Sequence, residues 1–184
     1  MNIEFYKLFR DSEESYRLIV TTREKTLVCT LRRTSKGYQL TPEAEINFEL
    51  GPRGCLYSAI RLTKNTVLVA ADSSLYRLDL NPIQFNPFKL DIGPLSPIIS
   101  LNKILENGRP VAVVTTFDNN LLLVDCTHGH ILSKIKLTLA ANCMGLVNIS
   151  GSGVILIGLG NLNTRALTDT KCILFGIDLA KILK

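Results

Sequence analysis

Leu18-Ile-Val-Thr-Thr22, Val67-Leu-Val-Ala-Ala71, Val111-Ala-Val-Val-Thr115 and Val154-Ile-Leu-Ile-Gly158 decide how this chain is read. Their first residues fall 49, 44 and 43 positions apart. A spacing of about 45 residues marks an internally repeated architecture. Apolar, β-branched runs of this length, bounded by turn formers, suit buried strands and are too short for helices. Outward from each pentad the layout recurs. Ahead of it lies another candidate strand, at Ile3–Phe9, Leu56–Leu62, Ile98–Ile104 and Cys143–Ile149, set off by turn formers such as Lys64-Asn65 and Ser150-Gly-Ser-Gly153. Behind it come a polar turn and a second run: Thr26–Leu31, Leu75–Leu80 and Leu121–Cys126. In the fourth unit this turn widens into an inserted loop, Leu159 to Lys171, before Cys172–Ile177. Alternating outer segments follow, with Ala44, Ile46, Phe48 and Leu50 on one face and Ile135, Leu137 and Leu139 on another, while Phe85–Ile92 is looser and holds Pro87. A helical spacing competes only at Ile98–Glu106, and Asp178–Lys184 is short enough for a terminal turn.

Strands joined by hairpins too short for crossover helices predict an all-β fold of antiparallel four-stranded meanders, repeated about an axis as β-propeller blades. The approximate units are 1–52, 53–94, 95–140 and 141–184 of a single domain. Blades stacked face to face bury the pentads from both sides, which accounts for runs that are continuously apolar instead of alternating.

Composition agrees with a folded domain. The chain has 184 residues, 46% hydrophobic and 20% charged, which excludes disorder and suffices for a core without disulfide staples. A net charge of +5 is mild and scattered, so it does not stand alone as a nucleic-acid signature. The 5 cysteines, an odd number without a CxxC pair, predict reduced thiols and a cytoplasmic or nuclear setting. Met1-Asn-Ile-Glu-Phe lacks a basic start and long apolar run, so neither secretion nor a membrane partner is expected.

Leu121-Leu-Leu-Val-Asp-Cys-Thr-His-Gly-His-Ile-Leu-Ser-Lys-Ile-Lys-Leu137 resembles the third strand, turn and fourth strand of a WD40 repeat, where an apolar strand ends in Trp-Asp and a Thr-Gly turn follows. Leu75-Tyr-Arg-Leu-Asp-Leu80 and Ile173-Leu-Phe-Gly-Ile-Asp-Leu179 keep the strand-ending Asp, whereas the first unit has Thr30-Leu31 there and the chain has no Trp. The resemblance is to a divergent WD40-like β-propeller and implies a rigid frame that presents surfaces to proteins. Four units fall short of the ring usual in that family, and the fourth lacks an outer strand. Three arrangements stay open: part of a longer propeller, an open half-propeller completed by a partner chain or second copy, or a small four-blade ring. The first two leave an open-edge strand carrying Cys172, Leu174, Gly176 and Asp178, which invites strand addition.

Chemistry is sparsely signalled. Cys126-Thr-His-Gly-His130 gathers a thiol and two imidazoles, yet strand alternation turns Cys126 away from the turn and no second cluster supplies further ligands. No metal is therefore expected. The only two histidines share that turn, so no catalytic triad is available, and Gly158-Leu-Gly160 is a poor phosphate cradle. Asp79, Asp125 and Asp178 recur as turn caps. Arg32, Arg33 and Lys36, with Arg23 and Lys25, form the densest basic stretch, but Arg23 and Lys25 lie at the opposite strand end from Arg33 and Lys36. The expectation is a non-catalytic protein–protein interaction scaffold without cofactor, a subunit of a larger complex. Partners would dock on a loop face shared by Arg23–Lys25, Ser73–Ser74, Asp118–Asn120 and Leu159–Thr170, with Arg23, Tyr76, Asn119 and Arg165 as contacts. The alternatives are a nucleic-acid-binding module using Arg32, Arg33 and Lys36, and a metal-dependent enzyme relying on His128 and His130.

Overall fold

The computed structural model describes residues 3–22, 25–48, 56–84, 87–93, 95–106, 109–138, 140–149, 152–160 and 173–178. Fifteen strands occupy them, and no helix occurs among the described residues. They form four antiparallel meanders in sequence order. The first contains β1 (Ile3–Arg10), β2 (Ser15–Thr22), β3 (Thr26–Thr34) and β4 (Gly37–Ile46); the second, β5 (Leu56–Arg61), β6 (Thr66–Ala71), β7 (Ser74–Asp79) and β8 (Phe88–Lys89). The third contains β9 (Ile98–Glu106), β10 (Arg109–Thr116), β11 (Asn120–Asp125) and β12 (His130–Lys136). In the fourth, β13 (Ala140–Ile149), β14 (Ser152–Gly160) and β15 (Ile173–Asp178) are the described strands. The all-β class and the meander layout match the expectation from the sequence, and Ile98–Glu106 is extended, its branched residues pairing with β10.

Turn chemistry closes the hairpins. Asp72, in the two residues between β6 and β7, has φ 51°, and Asn119, between β10 and β11, has φ 60°; Asp and Asn tolerate this left-handed region because their short side chains hydrogen-bond locally. Pro87 precedes β8, which is only two residues long and exposed, as a proline-bearing outer strand should be.

The chain divides into two compact units, Met1–Leu90 and Asp91–Lys184. Within the first, β1 lies beside β5, and alternate residues of the two sheets interlock: Phe9, Ile19, Val28 and Ile46 from one, Val67, Val69, Tyr76 and Leu78 from the other. Within the second, β9 lies beside β13, and Val111, Val113, Leu121 and Leu123 pack with Ile155, Ile157 and Ile177. First strands side by side, with cores between successive sheets, are the geometry of radial blades. The pentads of β6 and β10 are buried on both faces, since Leu68, Ala70, Ala112 and Val114 are as inaccessible as their neighbours. The pentad of β14 departs from that expectation: Ile155 and Ile157 are buried, while Val154 and Leu156 are only half-buried. One face of the fourth sheet is thus not fully covered.

Candidate functional site

The surface best equipped for binding is the outward face of the first sheet. Register places Leu8 opposite Leu18, Leu18 opposite Cys29, Tyr16 opposite Leu31, and Leu31 opposite Leu40; such cross-strand partners project to the same side. The opposite side carries Phe9, Ile19, Val28 and Ala44 into the core. Tyr6 is 69% exposed, Tyr38 66%, Leu40 51% and Leu8 44%, around half-buried Leu18, Leu27 and Leu31. Val20 and Cys29 on this side are buried beneath the exposed residues, and an apolar sheet face that exposes four large side chains is a candidate contact region.

Strict alternation misses this face. Tyr38 and Leu40 share parity with Ala44 and Ile46, and period two would send all four into the core. A β-bulge interrupts β4, where the register slips between Val28 and Cys29: Val28 pairs with Ala44, and Cys29 pairs with Pro42, leaving Glu43 as the extra residue. One inserted residue reverses the faces of everything beyond it. The signal in the sequence is the Thr41-Pro42-Glu43 interruption itself.

In the second unit, Val147 (37% exposed), Val154 and Leu156 share the outward side of the fourth sheet with Gly145 and Gly176. Gly145 has open space where a Cβ would stand, so this side is shallow beside Leu156. Among the described residues β15 pairs only with β14. Of the residues expected at an open edge, Gly176 is exposed and Asp178 half-buried; Cys172 lies outside the described residues, and for Leu174 only the backbone position is described.

A cleft of about 430 Å³ lies between the two sheets of the first unit, lined by Asp11, Arg17, Glu43, Arg61, Lys64 and the Leu80–Ile83 segment. Asp11, Arg17, Glu43 and Arg61 pair with one another. Asp11 accepts from Arg17 Nε at 3.3 Å through Oδ2 and from Arg61 through Oδ1, and Arg17 Nη1 donates to Glu43 Oε2 at 2.7 Å. Glu43 Oε1 accepts from Thr30. These pairs link the β1–β2 turn to β5 and anchor the bulged Glu43. With its carboxylates committed to guanidinium groups, the cleft's arrangement is structural.

The turn between β11 and β12 brings Asp125, His128 and His130 together, while Cys126 is buried away from them. Asp125 caps the turn: Oδ1 accepts from the N–H of Thr127 at 2.6 Å and of His128 at 3.2 Å, and Oδ2 meets His128 Nδ1 at 2.8 Å. Burial works to raise this carboxyl, but the His128 ring, the two N–H donors and the His128 charge outweigh it and hold it at about 2. Burial pushes the Cys126 thiol up to about 11, opposing any role as a thiolate. Cys29 is also raised, by burial and then by the Glu43 charge.

No protein-family model matches this chain, and no curated protein sequence matches it. Its fold does match solved structures. BBS1N in complex with ARL6DN, in a crystal soaked with mercury, superposes with a TM-score of 0.58 at 14% identity, covering 80% of this chain and 43% of that one. The lead-soaked crystal of the same complex gives a TM-score of 0.57 at 14% identity over 80% of this chain and 44% of that one. The chain thus spans under half the length of these structures, and the likeness establishes a β-propeller-like fold.

Among the expected contacts, Asn119 sits in the exposed turn region, its N–H donating to Thr116 O at 3.0 Å. Tyr76 is 2% exposed, its ring edge-to-face with Phe48 at 5.4 Å, so it serves the core of the first unit and is not a surface contact. Both faces of β7 are buried there, as Leu75 shows alongside it. Arg23, Arg165 and residues 161–170 of the inserted loop lie outside the described residues. Arg32 and Arg33 are exposed but successive on β3, so they project to opposite faces, and Lys36 occupies the next turn. Arg32 and Arg33 therefore do not face the same side of the sheet.

Proposed function

We propose that this chain is a non-catalytic, WD40-like propeller module that assembles with a β-sheet protein through the outward face of its first sheet, as one subunit of a larger complex. The observation that carries the reading is the solvated apolar face of Tyr6, Leu8, Tyr38 and Leu40. Neighbouring blades are the natural cover for such a face, since blade sheets bury apolar sides against each other. The WD40 element is supported by Leu121–Leu137 folding as strand, turn and strand with Asp125 capping the turn. A protein partner is also consistent with the fold neighbours, which were crystallised in complex with one, and a match over under half of their length fits a module that needs further blades. The outward side of the fourth sheet and the edge of β15 offer a second contact of the same kind. A reducing compartment, cytoplasm or nucleus, suits the buried free thiols Cys29 and Cys126.

Replacing Leu8→Glu and Leu40→Glu together tests the reading. Both side chains already face water, so thermal unfolding should change little, whereas a carboxylate buried unpaired in an interface is heavily penalised. Assembly, measured by sedimentation as self-association or complex formation, should weaken by about tenfold or more. Wild-type assembly by the double variant would overturn the proposal.

A further inference from the structure

The hairpin between β11 and β12 places three metal-ligand side chains on one tip by backbone geometry. Asp125, the last residue of β11, is the register partner of His130, the first of β12. Directly opposed residues project to the same side with Cβ atoms about 4.5–5.5 Å apart. Four residues, Cys126 to Gly129, join them. Gly129 has φ 71°, and its N–H donates to Asp125 O at 2.9 Å, folding the turn back so that His128 lies over the strand ends. The two imidazole centroids are 5.9 Å apart. One ligand atom from each of Asp125, His128 and His130 lies within 4.8 Å of the others.

We propose that Asp125, His128 and His130 form a binding site for a divalent late first-row transition ion, with Zn²⁺ and Ni²⁺ the ions that fit. Two imidazoles and one carboxylate suit these ions, whereas Mg²⁺ and Ca²⁺ favour oxygen shells. Metal–ligand bonds of about 2.0–2.2 Å put ligand atoms roughly 3–3.5 Å apart, a contraction that exposed imidazoles reach by side-chain rotation. Asp125 Oδ2 and His128 Nδ1 are already 2.8 Å apart, so an ion enters by displacing the proton between them. The carboxylate is pre-oriented, because Oδ1 is engaged by the N–H groups of Thr127 and His128 while Oδ2 faces the tip. That arrangement supplies the outer hydrogen bonding that steadies metal ligands. Cys126 contributes nothing: it is 2% exposed and donates to Val124 O at 3.7 Å. The ligand that completes the histidine pair is the residue before the cysteine, on the other face of the strand. Three protein ligands leave further positions for water, so the site binds metal at the surface instead of organising the fold.

The test is favoured by the sequence, which contains only 2 histidines. The 184-residue chain, without a polyhistidine tag, is titrated with Zn²⁺ and followed by imidazole ¹⁵N NMR and calorimetry. Both histidines should shift together and saturate at one ion per chain. His130→Ala, at an exposed position, and Asp125→Asn, which keeps an oxygen acceptor for the turn, should each weaken binding by about tenfold or more. Imidazole signals that respond at separate Zn²⁺ concentrations would overturn the proposal. So would affinity unchanged in His130→Ala, or zinc uptake by thiols that leaves both imidazoles unmoved.

Discussion

Asp125 shows how a single side chain closes a repeat. The cap is legible in the amino-acid sequence, because an Asp ending an apolar strand ahead of Thr-x-Gly has two N–H groups within reach; the hydrogen bonds from Thr127 and His128 are those donors. The carboxyl stands at about 2 in the fold against 3.8 for the unperturbed group. A depressed acid stabilises the fold fully above the higher value and loses that contribution as pH falls toward the lower one. Asp125→Ala should therefore cost roughly 1–2 kcal/mol at pH 7, discounted because the His128 partner is largely exposed, and the difference from wild type should shrink between about pH 4 and pH 2. Denaturant unfolding across that range measures it, and a pH-independent difference would contradict the assignment. Other residue-level features are not legible in this way. The enrichment of Tyr at binding hot spots makes Tyr76 a candidate contact, but β7 is covered on both sides and the ring packs edge-to-face on Phe48. Alternation does turn Cys126 away from the histidines, as the burial of its thiol bears out, but the placing of Asp125 beside both imidazoles depends on how the turn folds back.

Elements are legible where spacing alone governs them. The four pentads form β2, β6, β10 and β14, central or paired strands of successive meanders, because short β-rich apolar runs between turn formers have few other outcomes. What spacing does not encode is register. The bulge at Glu43 turns Tyr38 and Leu40 outward while Ala44 and Ile46 stay in the core, and its anchor is tertiary: Glu43 binds Arg17 and Thr30, residues on two other strands. The hairpin that starts β4 depends on Gly37, whose φ of 122° is disfavoured for any side chain even though open space surrounds its Cβ position. Gly37→Ala should destabilise by about 1–2 kcal/mol through backbone strain alone. Gly145→Ala, with open space and ordinary backbone in β13, should be close to neutral. Equal midpoints for the two variants in urea unfolding would contradict this account of the turn.

At the scale of the molecule, radial blades explain why apolar surface is left over. Each blade needs a neighbour on both sides, so a sheet lacking one keeps an uncovered face; the first sheet shows such a face at Tyr6, Leu8, Tyr38 and Leu40. An uncovered face is what the sequence reading expects, because four units fall short of the ring usual in the WD40-like propellers the sequence resembles, although the bulge hides the face itself from a reading by alternation. The proposed function rests on burial, and the carboxylates of the cleft, Asp11 and Glu43, are paired to cations or a hydroxyl. Hydroxyl-radical footprinting with peptide-resolved mass spectrometry, on dilute chain and on the assembled complex, is the most direct measurement. Tyr6 and Tyr38 should be heavily oxidised in the dilute chain and protected in the complex. Persistent oxidation of both tyrosines in the complex, with protection confined to the hairpin turns around Asp72 and Asn119, would contradict the account.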